Sequence, residues 1–350
     1  MRLILYILTP IFCLFISYGQ YTDQINSNRP GASIGAFSVG KNVVQFEGGT
    51  EFKSYKHKSY NDSKVNANLF FLSVRYGLLS EKIEITYDGI YQFDKIENRL
   101  ISPSVKSKRN GFLNNFLGIK YLVYDPFKKE RKVNVYSWKA NNGFKLRDLI
   151  PAVSITLGGN FILEKENPFP YGNVFDELRK PLFFGIPRDD SIEPSFSGKG
   201  ILATQSHFFG RWVFVTNFIY NRISSEFPEF SYILTLTHTI NKYWSVYIET
   251  QDFSSDLYKD QIFRTGAAYL FNDDLQFEAT FGTNTKNSPS IFFLNLGASY
   301  RLDFHKDVDP EMKQEEKLMK KEERMYKKGA KKAQKADKKR NKKARKKPNG

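Results

Sequence analysis

From about Ala67 to Phe304 the chain alternates apolar and polar residues, one segment after another, each roughly ten residues long. In a strand, alternate side chains lie on opposite faces, and about ten residues is what a tilted strand needs to cross a bilayer. Ile83, Ile85, Tyr87, Tyr91 and Phe93 fall on one face, and Glu84, Thr86, Asp88 and Gln92 on the other. The last segment sets Phe292, Leu294, Leu296, Ala298, Tyr300, Leu302 and Phe304 against Asn295, Gly297, Ser299, Arg301 and Asp303. Twelve strands are legible, near 42–53, 67–77, 82–94, 111–124, 151–164, 198–207, 211–222, 230–239, 243–252, 262–272, 275–284 and 291–304.

The connections alternate in length. Gly77–Glu81, Phe208–Gly210, Thr239–Lys242 and Asn272–Asp274 are short, while Ser54–Asn66, Lys95–Asn110, Lys165–Ser197 and Phe253–Gln261 are long. Short turns on one rim and long loops on the other are the pattern of an outer-membrane barrel. An even strand count puts both ends on the short-turn, periplasmic rim. One connection breaks the rule. Asp125–Ile150 should be a short turn but is long and contains the strand-like Val133–Trp138, which leaves ten or fourteen strands open. The expected fold is all-β, a transmembrane antiparallel β-barrel over residues 42–304. Tyr76, Tyr91, Phe93, Tyr121, Trp212, Tyr220, Trp244, Tyr269 and Tyr300, near strand ends, suit its interfacial girdles.

Composition agrees. Aromatics make up 16% of the chain, yet mean hydropathy is −0.48, which a barrel reconciles because half of each strand is polar. Residues 1–19 read as a secretory signal, with Arg2, an apolar core from Leu3 to Ile16, and a small-x-small site at Ser17-Tyr18-Gly19 before Gln20. Residues 20–41 are then an N-terminal periplasmic segment. Cys13 is the single cysteine and lies in the signal, so disulfides, thiolate metal sites and cysteine nucleophiles drop out.

Charge adds a tail. Residues 306–350 hold 19 Lys and Arg against 8 Asp and Glu, a net of +11 out of the chain's +16. Residues 305–350 are therefore expected to form a basic periplasmic tail, helical or disordered and rich in Lys. Export rules out nucleic acid as its partner. Peptidoglycan carboxylates, acidic headgroups or an acidic periplasmic protein remain as candidates.

Several stretches carry a resemblance. Asn28-Arg29-Pro30-Gly31-Ala32, Val74-Arg75-Tyr76-Gly77-Leu78, Leu117-Gly118-Ile119-Lys120-Tyr121 and Trp244-Ser245-Val246-Tyr247-Ile248-Glu249 follow one another in order. Together they resemble the outer-membrane barrel family named for the MetA pathway of phenol degradation, over about residues 25–304. Its Bacteroidetes-type members are described as transporters. Asn28 stands where that family more often has Asp, and the Lys-rich tail is not part of its pattern. The resemblance implies export or uptake of aromatic compounds.

The strand phases place Arg75, Glu84, Asp88, Lys120, Glu249, Arg264, Glu278, Arg301 and Asp303 toward the lumen. They would either line a pore for small solutes or brace a narrow barrel as ion pairs. Phe169, Tyr171, Phe183 and Phe184 belong to a long apolar loop that would constrict the mouth. No cofactor is expected. No metal is expected either, since His57, His207, His238 and His305 lack ligand spacing. Asp252, Ser254, Ser255 and Asp256 near a rim read as turn formers rather than as an enzyme's site. The expected function is passive transport of small apolar or aromatic solutes across the bacterial outer membrane, with outer-membrane lipid and the solute as partners. The alternative is a structural anchor acting through the tail.

Overall fold

The computed structural model describes residues 24–99, 102–128, 150–163, 169, 195–225, 227–256, 259–305, 319 and 325. The expected signal, Val133–Trp138, Tyr171, Phe183, Phe184 and nearly all of the tail lie outside these residues. The chain divides into two compact units, Met1–Phe304 and His305–Gly350.

Twelve described strands form the first unit: β1 (Val43–His57), β2 (Ser63–Gly77), β3 (Ile83–Asn98), β4 (Val105–Tyr124), β5 (Ala152–Phe161), β6 (Phe196–Phe208), β7 (Trp212–Ile223), β8 (Glu229–Thr239), β9 (Trp244–Ser254), β10 (Lys259–Asn272), β11 (Leu275–Asn284) and β12 (Ser290–Asp303). Each pairs antiparallel with its sequence neighbours, and β1 pairs with β12 from Val43↔Asp303 to Lys56↔Ser290, closing the barrel. Closure leaves no sheet edge, which is what lets strands stand in lipid. β4 pairs directly with β5 from Phe116↔Asn160 to Tyr124↔Val153, so no strand of the Asp125–Ile150 connection intervenes in the wall. The count is therefore twelve, not ten or fourteen.

The strands run further toward the long-loop rim than the alternation showed. β1 and β2 are joined by five residues, Lys58–Asp62, and β3 and β4 continue through Lys95–Asn98 and Val105–Asn110. These extensions read as loop because the polarity of the two faces reverses along the strand. Near the short-turn rim, β2 points Ser73 and Arg75 inward and exposes Phe70, Leu72 and Tyr76. Beyond that belt it buries Val65, Ala67 and Leu69 and turns Lys64, Asn66 and Asn68 outward. The outer half stands in water and keeps an ordinary apolar core of Tyr55, Val65, Leu69, Ile96, Phe169, Phe253, Ile262, Ile291 and Phe293.

The outer surface of the membrane half is apolar. Phe46, Leu117, Ile119, Leu157, Ile248, Phe277, Leu294 and Leu296 are exposed. Trp244 stacks near Tyr269 (ring centroids 4.8 Å apart) at the short-turn rim, where amphipathic rings suit the headgroup level. This is a membrane-spanning barrel of the outer-membrane type.

Residues 24–40 overturn one expectation. Instead of standing in the periplasm, they run inside the barrel. Pro30, Gly31, Gly35 and Gly40 deny the segment a regular ladder. Its backbone groups are met by side chains of the wall. Gly40, at φ +95°, turns the chain out of the lumen into β1.

Candidate functional site

The site is the lumen and the segment that fills its lower part. A buried backbone group needs a hydrogen-bond partner, and side chains of β1, β2, β3, β4, β6, β7, β9 and β11 supply them. The Ala32 and Ser33 amides donate to the Glu249 carboxylate at 3.0 and 3.2 Å. The Ile34 amide donates to Asn217 Oδ1 at 2.6 Å, and Asn217 Nδ2 donates back to the Ile34 carbonyl at 2.8 Å. The Ala36 amide donates to Gln205 Oε1 at 3.0 Å and the Val39 amide to Glu84 Oε2 at 2.9 Å. On the acceptor side, Lys120 Nζ donates to the Phe37 carbonyl at 2.7 Å, Arg75 Nη1 to the Asn26 carbonyl at 2.7 Å, and Thr280 Oγ1 to the Pro30 carbonyl at 2.8 Å. Ala32 and Ile34 pack on the buried trio Ile201, Ile219 and Ile233. The segment is a plug held by wall side chains, with no strand pairing of its own.

Two charge networks support it. Arg75 makes a two-pronged contact with Glu84 (2.8 and 3.0 Å) and reaches Glu47 at 3.2 Å, while Lys120 lies 3.8 Å from Glu84. Strand register brings them together, with Arg75 opposite Gln45 and Thr86 and Glu84 opposite Lys120. On the other wall Arg264 contacts Glu249 at 3.0 Å and Gln251 at 2.7 Å, and Thr235 Oγ1 donates to Glu249 at 2.8 Å. Ions this far from water need such pairing. Glu84 and Glu249 thus both brace the wall and hold the plug.

The remaining charged candidates are less connected. Glu278 accepts from Gln276 and Ser299, each at 3.3 Å, and Arg301 contacts Asp303 at 2.6 Å. Asp88 lines the cavity described below. Phe169 is fully buried in the outer apolar core, with the Arg109 guanidinium 5.0 Å from its ring centre. His57, at the water-exposed end of β1, faces Ser288 at 3.2 Å, and burial holds its imidazole below the usual pKa. Among the described residues, no group of three or more His, Asp or Glu is placed to hold a metal.

Between plug and outer core lies a chamber of about 340 Å³. Its floor is Asn28 to Ile34, its walls include Leu69, Ile90, Leu113 and Phe293, and its charged lining includes Lys53, Asp88, Lys199 and Arg264. Sequence reasoning missed Lys199, which sits in β6 where Gly198 and Gly200 blur the alternation. It also missed the plug, whose single signal was the Asn28–Ala32 motif.

The sequence pattern of the family described as Putative MetA-pathway of phenol degradation matches residues 27–173 and 183–302, which takes in residues 27–40 of the plug. The chain belongs to this family. No curated protein matches it. In structure this family member is similar to an outer-membrane channel from Pseudomonas putida F1 (13% identity, 80% of this chain and 100% of that one, TM-score 0.43). It is also similar to the translocator domain of the autotransporter NalP from Neisseria meningitidis (8%, 79% and 90%, 0.43) and to the NanC porin (9%, 74% and 100%, 0.43).

Proposed function

We propose that the barrel passes small apolar or aromatic solutes passively across the outer membrane, and that residues 24–40 are its gate. One observation carries this reading. The lumen is filled at one end by a segment held through side-chain hydrogen bonds and keeps a solute-sized chamber above it. A wall meant only as a strut needs no such detachable filling. The apolar part of the chamber wall, Leu69, Ile90, Leu113 and Phe293, suits the apolar body of a solute. The rim where Val43 pairs with Asp303 is then the periplasmic one.

Planar-bilayer conductance of the chain from Gln20 tests this, beside a form lacking residues 24–40 and the double variant Glu249→Gln, Asn217→Ala. Small or rare openings in the first, and larger and longer ones in the other two, are the expected result. Should the deletion fail to fold, the double variant still loosens the plug. Silence in all forms, from protein shown to be folded, would sink the proposal and favour a closed structural anchor.

A further inference from the structure

Three phenylalanines inside the barrel lie flat on its wall instead of projecting toward the axis. Phe116 of β4 presses on Gly118 and on Gly158 of β5. A Cβ added there would stand 2.6 and 2.8 Å from its ring, closer than carbon atoms approach. Phe71 lies the same way against Gly49 and Gly297, and Phe293 against Gly282. Each ring carries a cation over its face. Arg29 Cζ is 4.0 Å from the Phe71 centroid, Lys199 Nζ 4.5 Å from that of Phe116, and Lys53 and Arg264 are 5.2 and 5.6 Å from that of Phe293.

These cations differ in their counter-ions. Lys53 is paired with Glu51 at 2.6 Å and Arg264 with Glu249 at 3.0 Å. Arg29 is turned to the plug itself, donating to the Gly31 carbonyl at 3.5 Å. Among the described residues, Lys199 has no carboxylate within 4.0 Å and no hydrogen-bond partner; Asp88 and Glu229 act on it only from further off. Lys199 nevertheless lines the chamber. An ammonium inside a barrel wall is costly unless an anion joins it. The chamber is apolar on the side of Leu69, Ile90 and Leu113, with Ile219 and Ile233 near the plug; of its carboxylates besides Asp88, Glu51 is paired with Lys53, and Glu47 and Glu84 with Arg75.

We infer that the chamber binds an organic carboxylate with an apolar body of single-ring size, the Lys199 ammonium taking the carboxylate and the apolar wall taking the body. Asp88, which lines the same chamber, orients the anion by repelling it from its own side. This names a solute class for the transport reading and rests on it.

The test is titration calorimetry at low salt on the full chain in detergent, with benzoate, the neutral benzamide and the cationic benzylammonium as probes. Benzoate should bind best. Lys199→Gln should weaken it roughly ten- to a hundredfold, the loss of one hydrogen bond to a charged group, and leave benzamide unchanged. Lys199→Arg should restore most of the affinity. Equal binding of benzoate and benzamide, preference for benzylammonium, or indifference to Lys199→Gln in a variant that folds normally would overturn the inference. Conductance of the same proteins separates the two claims. Openings without Lys199-dependent benzoate binding remove the site and leave transport standing. Lys199-dependent binding by a barrel that never conducts keeps the site and removes transport.

Discussion

The membrane half and the outer half of this barrel share the same strands and the same period of two, yet they partition their side chains in opposite ways. In the membrane half β2 turns Phe70 and Leu72 outward and Arg75 inward. In the outer half it turns Asn66 outward and Val65 inward. Backbone geometry is continuous across the change. What differs is the medium outside, lipid below and water above, and apolar groups leave water wherever it is found. The lower lumen can therefore be polar and hold a plug by hydrogen bonds, while the upper lumen closes on itself as an apolar core.

The comparison can be broken hardest in the lower lumen. Arg75→Ala should cost about 3–5 kcal/mol, because it strands the buried Glu84 and Glu47 carboxylates. Denaturant unfolding in detergent reads this, and a loss below about 1 kcal/mol would mean that water reaches the network. In the upper lumen Ile262→Ala should cost about 2–5 kcal/mol through cavity formation and leave conductance of the plug-deleted barrel unchanged. On the outer surface, Leu296→Arg should cost about 2–4 kcal/mol by placing a charge in lipid. Asn66→Arg, on the same kind of outward face but in the water-facing half, should stay within about 0.5 kcal/mol. Refolding of both variants into vesicles measures the difference, and equal costs would erase the boundary between the halves.

Much of the wall was legible from the chain alone. Alternation such as Ile83–Phe93 against Glu84–Gln92 arises from local backbone geometry, so it survives without knowledge of any partner. It also assigned Arg75, Glu84, Asp88, Lys120, Glu249, Arg264, Glu278 and Arg301 to the inward face; in the structure Arg75, Glu84, Lys120, Glu249, Glu278 and Arg301 are buried, and Asp88 and Arg264 line the chamber. The strand ends toward the outer rim were not legible. Around Lys95–Asn98 and Val105–Asn110 polar residues crowd the outward face and the inward one is mixed, so no clean alternation marks them.

Strand number, phase and the apolar belt follow from the order of residues, because each depends on near neighbours and on the solvent. The plug and the chamber do not. The partners of Ala32 and Ile34 are Glu249 and Asn217, about two hundred residues away, and a segment without a period carries no local mark of where it will lie. Lys199 likewise reads as an ordinary basic residue between glycines. Only the register of β4, β5 and β6 brings it over Phe116, with no carboxylate of the described residues within pairing distance.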